Sequence, residues 1–132
     1  MSRYVLDLPA ALRLIERARP LGEHRLLGPT LLRSQVLDAL FRAVLAGELE
    51  EEAARERLRR FDGLKLRFLG DAVLRRRAWE LARRLGWDST LRAEYVALAQ
   101  LQADALITPD RAFARSLQGV VETAPLSALD GS

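Results

Sequence analysis

The sequence has no cysteine and only one histidine, His24, and these absences exclude several kinds of chemistry. A chain without cysteine forms no disulfides, has no thiol nucleophile and cannot build a cysteine-ligated zinc site. One histidine cannot supply a multi-histidine metal site or a conventional catalytic triad. Any catalysis must therefore come from carboxylates, hydroxyls or arginines.

Long apolar runs are missing as well. No stretch approaches the roughly 18 apolar residues that span a bilayer. Asp7 interrupts the only apolar start before the core of a signal peptide could form. We therefore expect a soluble, cytoplasmic protein. Its 132 residues, 49% of them hydrophobic, are enough for one domain with one core and too few for two.

Lysine is nearly absent, since Lys65 is the only one among 21 basic residues, which face 18 acidic ones. Guanidinium groups suit phosphate well, so an RNA-binding surface at the arginine clusters of 55–60 and 75–77 is one interpretation. Glutamates are interleaved with these arginines, and the abundance of alanine and leucine is typical of a G+C-rich genome. Solvated helix faces are the interpretation that we prefer.

Short apolar segments alternate with amphipathic ones along the chain. Six helices are predicted from capping residues and the spacing of apolar residues. The first begins at Pro9, the second runs from the Gly28-Pro29 turn to Gly47, and the third covers 51–61. The fourth runs from a cap at Asp71 to Leu85, the fifth covers 90–102, and the last follows Asp110. The segment 64–69 alternates apolar with basic residues, as edge strands do. Strands are predicted at 3–6, 25–27, 64–69, 105–108 and 119–122.

This alternation predicts an α/β fold in which helices cover both faces of a parallel sheet. We expect one domain over residues 1–124 and a loose tail over 125–132. Ligands of such sheets gather beyond the carboxyl ends of the strands. Asp7 follows the first strand and Asp110 follows the fourth, so we expect these two acids to meet at the same edge.

Four segments carry a resemblance to a known family. They are YVLD ending at Asp7, GPTLLRSQVLDAL over 28–40, RAEYVALAQ over 92–100 and LITPDRAFA over 106–114. In this order and spacing the chain resembles the PIN-domain nucleases, specifically the VapC-type toxins of bacterial toxin–antitoxin pairs. The resemblance implies a three-layer α/β/α fold with a mainly parallel sheet of about five strands. It also implies an endoribonuclease that depends on Mg²⁺ or Mn²⁺ held by four acids.

Only two of the four acids are present. The first acid of the family falls on Asp7 and the last on Asp110, which are the metal ligands that the resemblance implies. The second falls on Gln35 and the third on Arg92. Thr108 matches a hydroxyl that the family places beside the metal. A hard divalent ion needs several oxygen ligands and activates a bound water for attack on a phosphodiester, so both replacements matter.

Arg92 has two alternative roles. It can pair with Asp7 and Asp110 in place of the metal, since an ion pair at about 4 Å gains on the order of 4 kcal/mol in a partly screened site. Alternatively, it can turn into solvent and leave two aspartates and Gln35 to bind a metal weakly. Asp38, one turn beyond Gln35, is the best candidate for a further ligand; otherwise it is an exposed helical residue.

Two functions therefore remain in view. The first is a VapC-like ribonuclease whose activity is weakened or lost. The second is a catalytically inactive pseudo-PIN module that binds other proteins. By resemblance, the partners are a second copy of the chain, a small antitoxin protein and, for the enzyme, an RNA substrate.

Overall fold

The computed structural model describes residues 2–131 and contains a five-stranded sheet flanked by helices. All paired strands are parallel, and their order across the sheet is β3-β2-β1-β4-β5. The elements follow the chain as β1 (Arg3–Leu6), α1 (Leu8–Glu16), β2 (Arg25–Pro29), α2 (Leu31–Leu45), α3 (Glu51–Asp62), β3 (Arg67–Leu69), α4 (Ala72–Leu85), α5 (Leu91–Gln102), β4 (Ala105–Ile107), α6 (Arg111–Ser116), β5 (Thr123–Ala124) and a 3₁₀ helix (Leu126–Leu129).

The two faces of the sheet bury separate apolar clusters. Side chains of a strand alternate between faces, and the neighbours Val5 and Leu6 accordingly belong to different clusters. Val5 packs with residues of α2, α4 and α5, whereas Leu6 packs with Ala10 and Leu14 of α1. The predicted α/β architecture, with a parallel sheet covered on both faces, is confirmed.

The strand order places the ends of β1 and β4 side by side. Leu6 is in register with Ile107, and the Asp7 N–H donates to the Ile107 carbonyl at 3.2 Å. Parallel strands present their carboxyl ends at one edge. The loops that carry Asp7 and Asp110 therefore start from neighbouring positions.

Two strands differ most from the sequence prediction, since β2 and β4 depart from it by only one or two residues at one end. β3 covers Arg67–Leu69 and not 64–69. The final strand is Thr123–Ala124, so the prediction at 119–122 is wrong. Val120 and Val121 are apolar, but their N–H groups both donate to the Leu117 carbonyl in a turn after α6, and Gly119 has a left-handed φ of 80°.

The tail is also more ordered than predicted. The 3₁₀ helix folds back onto the α1 side of the sheet and buries Leu129, which is 1% exposed. Asp130 forms an antiparallel bridge with Leu21 and an ion pair with Arg19. Residues 125–131 are thus not the loose segment that was predicted, because apolar side chains three residues apart complete a core that α1 alone leaves open. Ser132 lies outside the described residues.

The lengths of the helices also bear on membrane association. Within residues 2–131, no helix is long and apolar enough to cross a membrane.

Candidate functional site at the carboxyl edge of the sheet

Asp7 lies directly after β1 and caps helix α1. Its carboxylate accepts a hydrogen bond from the Ala10 N–H at 2.8 Å, and only 5% of the residue is exposed. Burial raises the pKa of Asp7 above its ordinary value, and the nearby charge of Asp110 adds to this rise. Hydrogen bonds from Thr108 and Ala10, together with the positive charge of Arg92, act against the rise.

Asp110 and Thr108 come from the loop after β4. The Thr108 hydroxyl accepts a hydrogen bond from the Asp110 N–H at 3.2 Å, which fixes the turn around Pro109. Asp110 caps α6 by accepting from the Phe113 N–H at 3.0 Å. Both aspartates at this edge therefore serve as helix caps, and Thr108 links them because it also hydrogen bonds to Asp7.

Arg92 reaches this edge from the first turn of α5. Its Nη2 atom lies 3.6 Å from Asp110 Oδ2, and its Cζ atom lies 3.8 Å from the centre of the Phe113 ring. Of the two pairs considered in the sequence analysis, the structure contains the one with Asp110. Arg92 and Asp7 interact electrostatically but form no ion pair within 4 Å. The guanidinium is held between an aromatic face and a carboxylate, an arrangement that favours a cation.

Gln35 enters the site from α2 and is already hydrogen bonded. The Tyr95 hydroxyl donates to Gln35 Oε1 at 2.5 Å. Burial, together with the charges of Asp7 and Glu94, raises the pKa of Tyr95 above its ordinary value, so the phenol remains a donor at neutral pH. The amide oxygen that the resemblance offers to a metal therefore has Tyr95 as its partner.

Four of the polar side chains surround a small cavity of about 230 Å³. Apolar residues complete its wall. The polar and apolar members of the lining are Asp7, Gln35, Arg92, Tyr95, Leu8, Pro9, Leu91 and Phe113.

Asp38 does not join the site. It lies on the exposed side of α2 and pairs with Arg42, with 2.9 Å between Asp38 Oδ2 and Arg42 Nε. Glu94 also faces away from the site, towards a separate cavity that it lines together with Arg75 and Trp79. The interpretation of Asp38 as an exposed helical residue is the one that the structure supports.

Two contributors, Tyr95 and Phe113, were missed by the sequence analysis. The resemblance covers both residues, within RAEYVALAQ and LITPDRAFA, but gives neither a role in the site. A signal for Tyr95 existed, because it follows Arg92 by three residues and so shares its side of the helix. Phe113 had none, since its contact with Arg92 depends on how two successive helices, α5 and α6, pack against each other.

The donor set fits a resident divalent ion poorly. Across residues 2–131, no three carboxylate or histidine side chains come close enough together to hold a metal. The site offers two aspartates and one amide, and Arg92 supplies a positive charge beside them. We therefore derive no catalytic step through a metal.

Comparisons with known proteins show which solved structures share this fold. No protein-family model and no curated protein matches the sequence. The fold is similar to the crystal structure of PAE2754 from Pyrobaculum aerophilum, with a TM-score of 0.73 and 20% identity, covering 96% of this chain and 91% of that one. Two further structures share this fold, so the α/β fold with a central parallel sheet that the resemblance implies is confirmed.

The two further structures are toxin–antitoxin complexes. One is VapBC2 from Rickettsia felis bound to a DNA fragment from its promoter, with a TM-score of 0.65, 12% identity and coverage of 93% of this chain and 98% of that one. The other is VapBC-1 from nontypeable Haemophilus influenzae, with a TM-score of 0.59, 14% identity and coverage of 95% and 98%. Identities this low show the fold alone.

Proposed function

We propose that this protein is a VapC-like member of a toxin–antitoxin pair that has kept the PIN scaffold and has lost most or all of its metal-dependent RNA cleavage. Two similar structures are VapBC complexes. The segments that carry the sequence resemblance also supply the residues of the site. Acting on RNA or on an antitoxin, the protein would work in the cytoplasm.

The observation that carries this proposal is the ion pair between Arg92 and Asp110, at 3.6 Å. A metal held by Asp110 would lie next to a fixed positive charge. Before screening by solvent, a divalent ion would be repelled about twice as strongly as the carboxylate is attracted at the same distance. The side chains of the pair are 61% and 43% exposed, so solvent reduces both energies. Arg92 thus supplies beside Asp110 the positive charge that a metal would supply, but it activates no water.

A second candidate, a weakly active Mg²⁺- or Mn²⁺-dependent ribonuclease, has one observation in its favour. Asp7, Thr108 and Asp110 still converge at the carboxyl edge, where the family binds metal. Since the Arg92 side chain is 61% exposed, a bound ion with RNA phosphate could draw it aside. Asp7 and Asp110 would then hold the ion, with the Gln35 oxygen as a neutral ligand.

Cleavage of RNA in the presence of Mn²⁺ separates the two candidates. We expect the wild type to be silent and the double variant Arg92→Asp with Gln35→Glu, which rebuilds the acid set, to cleave. Adding Asp7→Asn to that double variant should abolish the gained cleavage. Arg84→Asp makes the same charge change as Arg92→Asp at an exposed position of α4. It is the matched control and should remain silent. If the wild type cleaved RNA and Asp7→Asn abolished that cleavage, the proposed loss of activity would be contradicted.

Helix α2 offers a surface for protein partners. Leu37, Phe41 and Leu45 follow one another four residues apart, so they form an apolar stripe, and each is more than half exposed. A helical segment of an antitoxin or a second copy of the chain would cover such a stripe. These are the partners that we propose.

Self-association through the stripe can be measured by sedimentation velocity over a range of concentrations. We expect the wild type to form a dimer and Phe41→Glu to remain a monomer, because a charge in an apolar interface is costly. Arg42→Glu, on the same helix beside the stripe, is the control and should still form a dimer. A monomeric wild type would leave the antitoxin as the partner of this surface, and would contradict self-association.

A further inference from the structure

A second and larger cavity lies at the opposite, amino edge of the sheet. Its volume is about 440 Å³, within the range of sites that take small organic ligands. The first residues of three strands line it, namely Arg3 of β1, Arg25 of β2 and Arg67 of β3. We call it the amino-edge cavity. Because the strands are parallel, it is separated from Asp7 and Asp110 by the length of the sheet.

The strand register places three arginines of the amino-edge cavity on one face. Arg3 is directly paired with Arg25, so their side chains leave the sheet on the same side. Arg67 is paired with Leu27, which lies two residues after Arg25 and therefore shares its face. Like charges directly opposite each other on neighbouring strands repel. The three guanidinium groups therefore repel one another on one face of neighbouring strands, and an anion bound between them would offset this repulsion.

These cations lack acidic partners in the described part of the chain. None of Arg3, Arg25, Lys65 and Arg67 takes part in an ion pair within 4 Å among residues 2–131. Asp104 is close, but its carboxylate accepts from the Arg3 backbone N–H and is not part of the lining. By contrast, most arginines of α3 pair with glutamates of their own helix.

Two further residues of the lining have unusual local features. Lys65, the only lysine of the chain, has a left-handed φ of 56°, a conformation that few residues other than glycine adopt. Nδ1 of His24 is buried and has no hydrogen-bond partner among the described residues. A buried polar atom without a partner is costly, so the imidazole of His24 stands at the wall of the cavity with one unpaired nitrogen.

Most of the remaining lining is apolar and includes Leu21, Leu26, Leu64 and Leu129, with Gln102 as a polar member. Leu26 and Leu129 belong to the cluster on the α1 side, whereas the arginines share the face of Leu27, so the cavity extends across the amino edge from one face to the other. A ligand that suits this cavity has an anionic group for the arginines and an apolar or flat portion for the leucines. Inorganic phosphate alone would leave the apolar part of the cavity unfilled.

We propose that the amino-edge cavity binds a small organic phosphate, a phosphate monoester joined to a ring. Arginine forms paired, charge-assisted hydrogen bonds with phosphate oxygens, and a cluster of three arginines suits the double charge of a monoester. The ligand binds between Arg3, Arg25 and Arg67. This site is independent of the function proposed for the carboxyl edge.

Calorimetric titration of the full chain with adenosine 5′-monophosphate tests this proposal. We expect binding that weakens by about tenfold for each arginine removed in Arg25→Gln and Arg67→Gln, because each loses a charge-assisted hydrogen bond. Arg84→Gln, an exposed arginine of α4 outside the cavity, is the matched control and should bind as the wild type does. Adenosine, which has no phosphate, should bind at least about tenfold more weakly.

Amide chemical shifts give a readout that does not depend on variants. Adenosine 5′-monophosphate should shift the signals of His24, Arg25 and Lys65 and leave those of Asp7 and Asp110 in place. Titration with a pentaribonucleotide, with and without a 5′-phosphate, distinguishes a free nucleotide from the end of an RNA chain. A preference for the phosphorylated form would support the proposal with an RNA end as the source.

Three results would overturn the proposal. They are no binding of adenosine 5′-monophosphate by the wild type, equal weakening by Arg84→Gln and Arg25→Gln, and binding of the 5′-hydroxyl pentaribonucleotide as tight as that of the phosphorylated one. The last result would indicate a surface for phosphodiesters.

Discussion

Asp7 combines two roles that have opposite effects on the stability of the folded chain. As the cap of α1 it stabilises the helix by its hydrogen bond to the Ala10 N–H. As a buried carboxylate it loses hydration, and the pKa of Asp7 rises for that reason. A residue with only a capping role would be better placed in solvent, as Asp71 is at the start of α4.

This conflict predicts the pH dependence of Asp7→Asn. Since the folded pKa of Asp7 lies above the ordinary value of 3.8, the folded state holds the proton more tightly. The stability from this group is complete below the unfolded pKa and is lost as pH rises through the folded pKa. Asparagine keeps the cap without the charge, so we expect Asp7→Asn to be more stable than the wild type at pH 7.

Urea denaturation at pH 7 and at pH 4 measures this effect. The gain from Asp7→Asn should shrink at the lower pH, where the wild-type carboxyl binds its proton. Asp71→Asn is the control, because Asp71 makes the same capping bond to the Leu74 N–H at 2.9 Å in an exposed position. A loss of stability at pH 7 in Asp7→Asn alone would show that the charge of Asp7 stabilises the fold.

At this scale the sequence located the acids but not their surroundings. The positions of Asp7 and Asp110 after two strands were enough to predict that they meet, and the structure brings both to one edge. The Arg92 contact with Phe113 depends on how α5 and α6 pack, which no local pattern encodes. The bond from Tyr95 to Gln35 spans 60 residues and was out of reach for the same reason.

At the scale of elements, the amino ends of β1 and β2 are the least favourable strand pairing in the sheet. Arg3 and Arg25 are in register there. Opposed like charges destabilise a strand pair by roughly 0.2–1 kcal/mol. At low ionic strength we therefore expect Arg25→Gln to increase the free energy of unfolding by about a few tenths of a kcal/mol.

Salt should reduce the difference between Arg25→Gln and the wild type, because it screens the repulsion. Denaturant titrations at low and high sodium chloride provide the measurement, with Arg84→Gln as the control for removing an arginine without such a neighbour. If Arg25→Gln were less stable than the wild type at low salt, Arg25 would have a stabilising partner that this account lacks.

The helices and strands were predicted correctly where the spacing of apolar residues and the capping residues indicated the same bounds. Asp71 caps α4 and the left-handed Gly86 ends it, as the pattern of its apolar stripe required. The prediction of the final strand failed because Thr123–Ala124 has only two residues, and its position is set by pairing with β4. Val120 and Val121 looked more like a strand, but the turn at Gly119 uses their N–H groups.

For the molecule as a whole, the C-terminal 3₁₀ helix is part of the core and not an appendage. Leu129 packs with Leu6, Leu14 and Ile107 on the α1 side of the sheet. We expect Leu129→Ala to lower the free energy of unfolding by about 2–5 kcal/mol, because it leaves a cavity in a closed cluster.

Leu126→Ala is the matched control for Leu129→Ala. Leu126 lies in the same 3₁₀ helix but is only half-buried, so its loss should be clearly smaller. Thermal unfolding followed by circular dichroism compares the two. Equal, small losses would mean that residues 126–129 do not stabilise the fold, as the sequence analysis had expected of a loose tail.

The fold class was within reach of the sequence because alternating strands and helices leave few topologies, and parallel crossovers are right-handed. The packing of the C-terminal 3₁₀ helix on the sheet could not be predicted, since it depends on which apolar face stays uncovered after α1 has packed. The same holds for the charge of the site. Its four positions followed from the resemblance, but the pairing of Arg92 with Asp110 required the structure.

The central claim is that the positive charge of Arg92, paired with Asp110, replaces the charge of a metal ion at the edge where the two aspartates converge. Titration of Mn²⁺ into the protein, followed by the electron paramagnetic resonance signal of free Mn²⁺, tests it most directly. We predict that the wild type leaves this signal undiminished, while Arg92→Asp with Gln35→Glu removes one ion per chain. A wild type that binds one Mn²⁺ per chain, and loses it with Asp7→Asn, would contradict the claim.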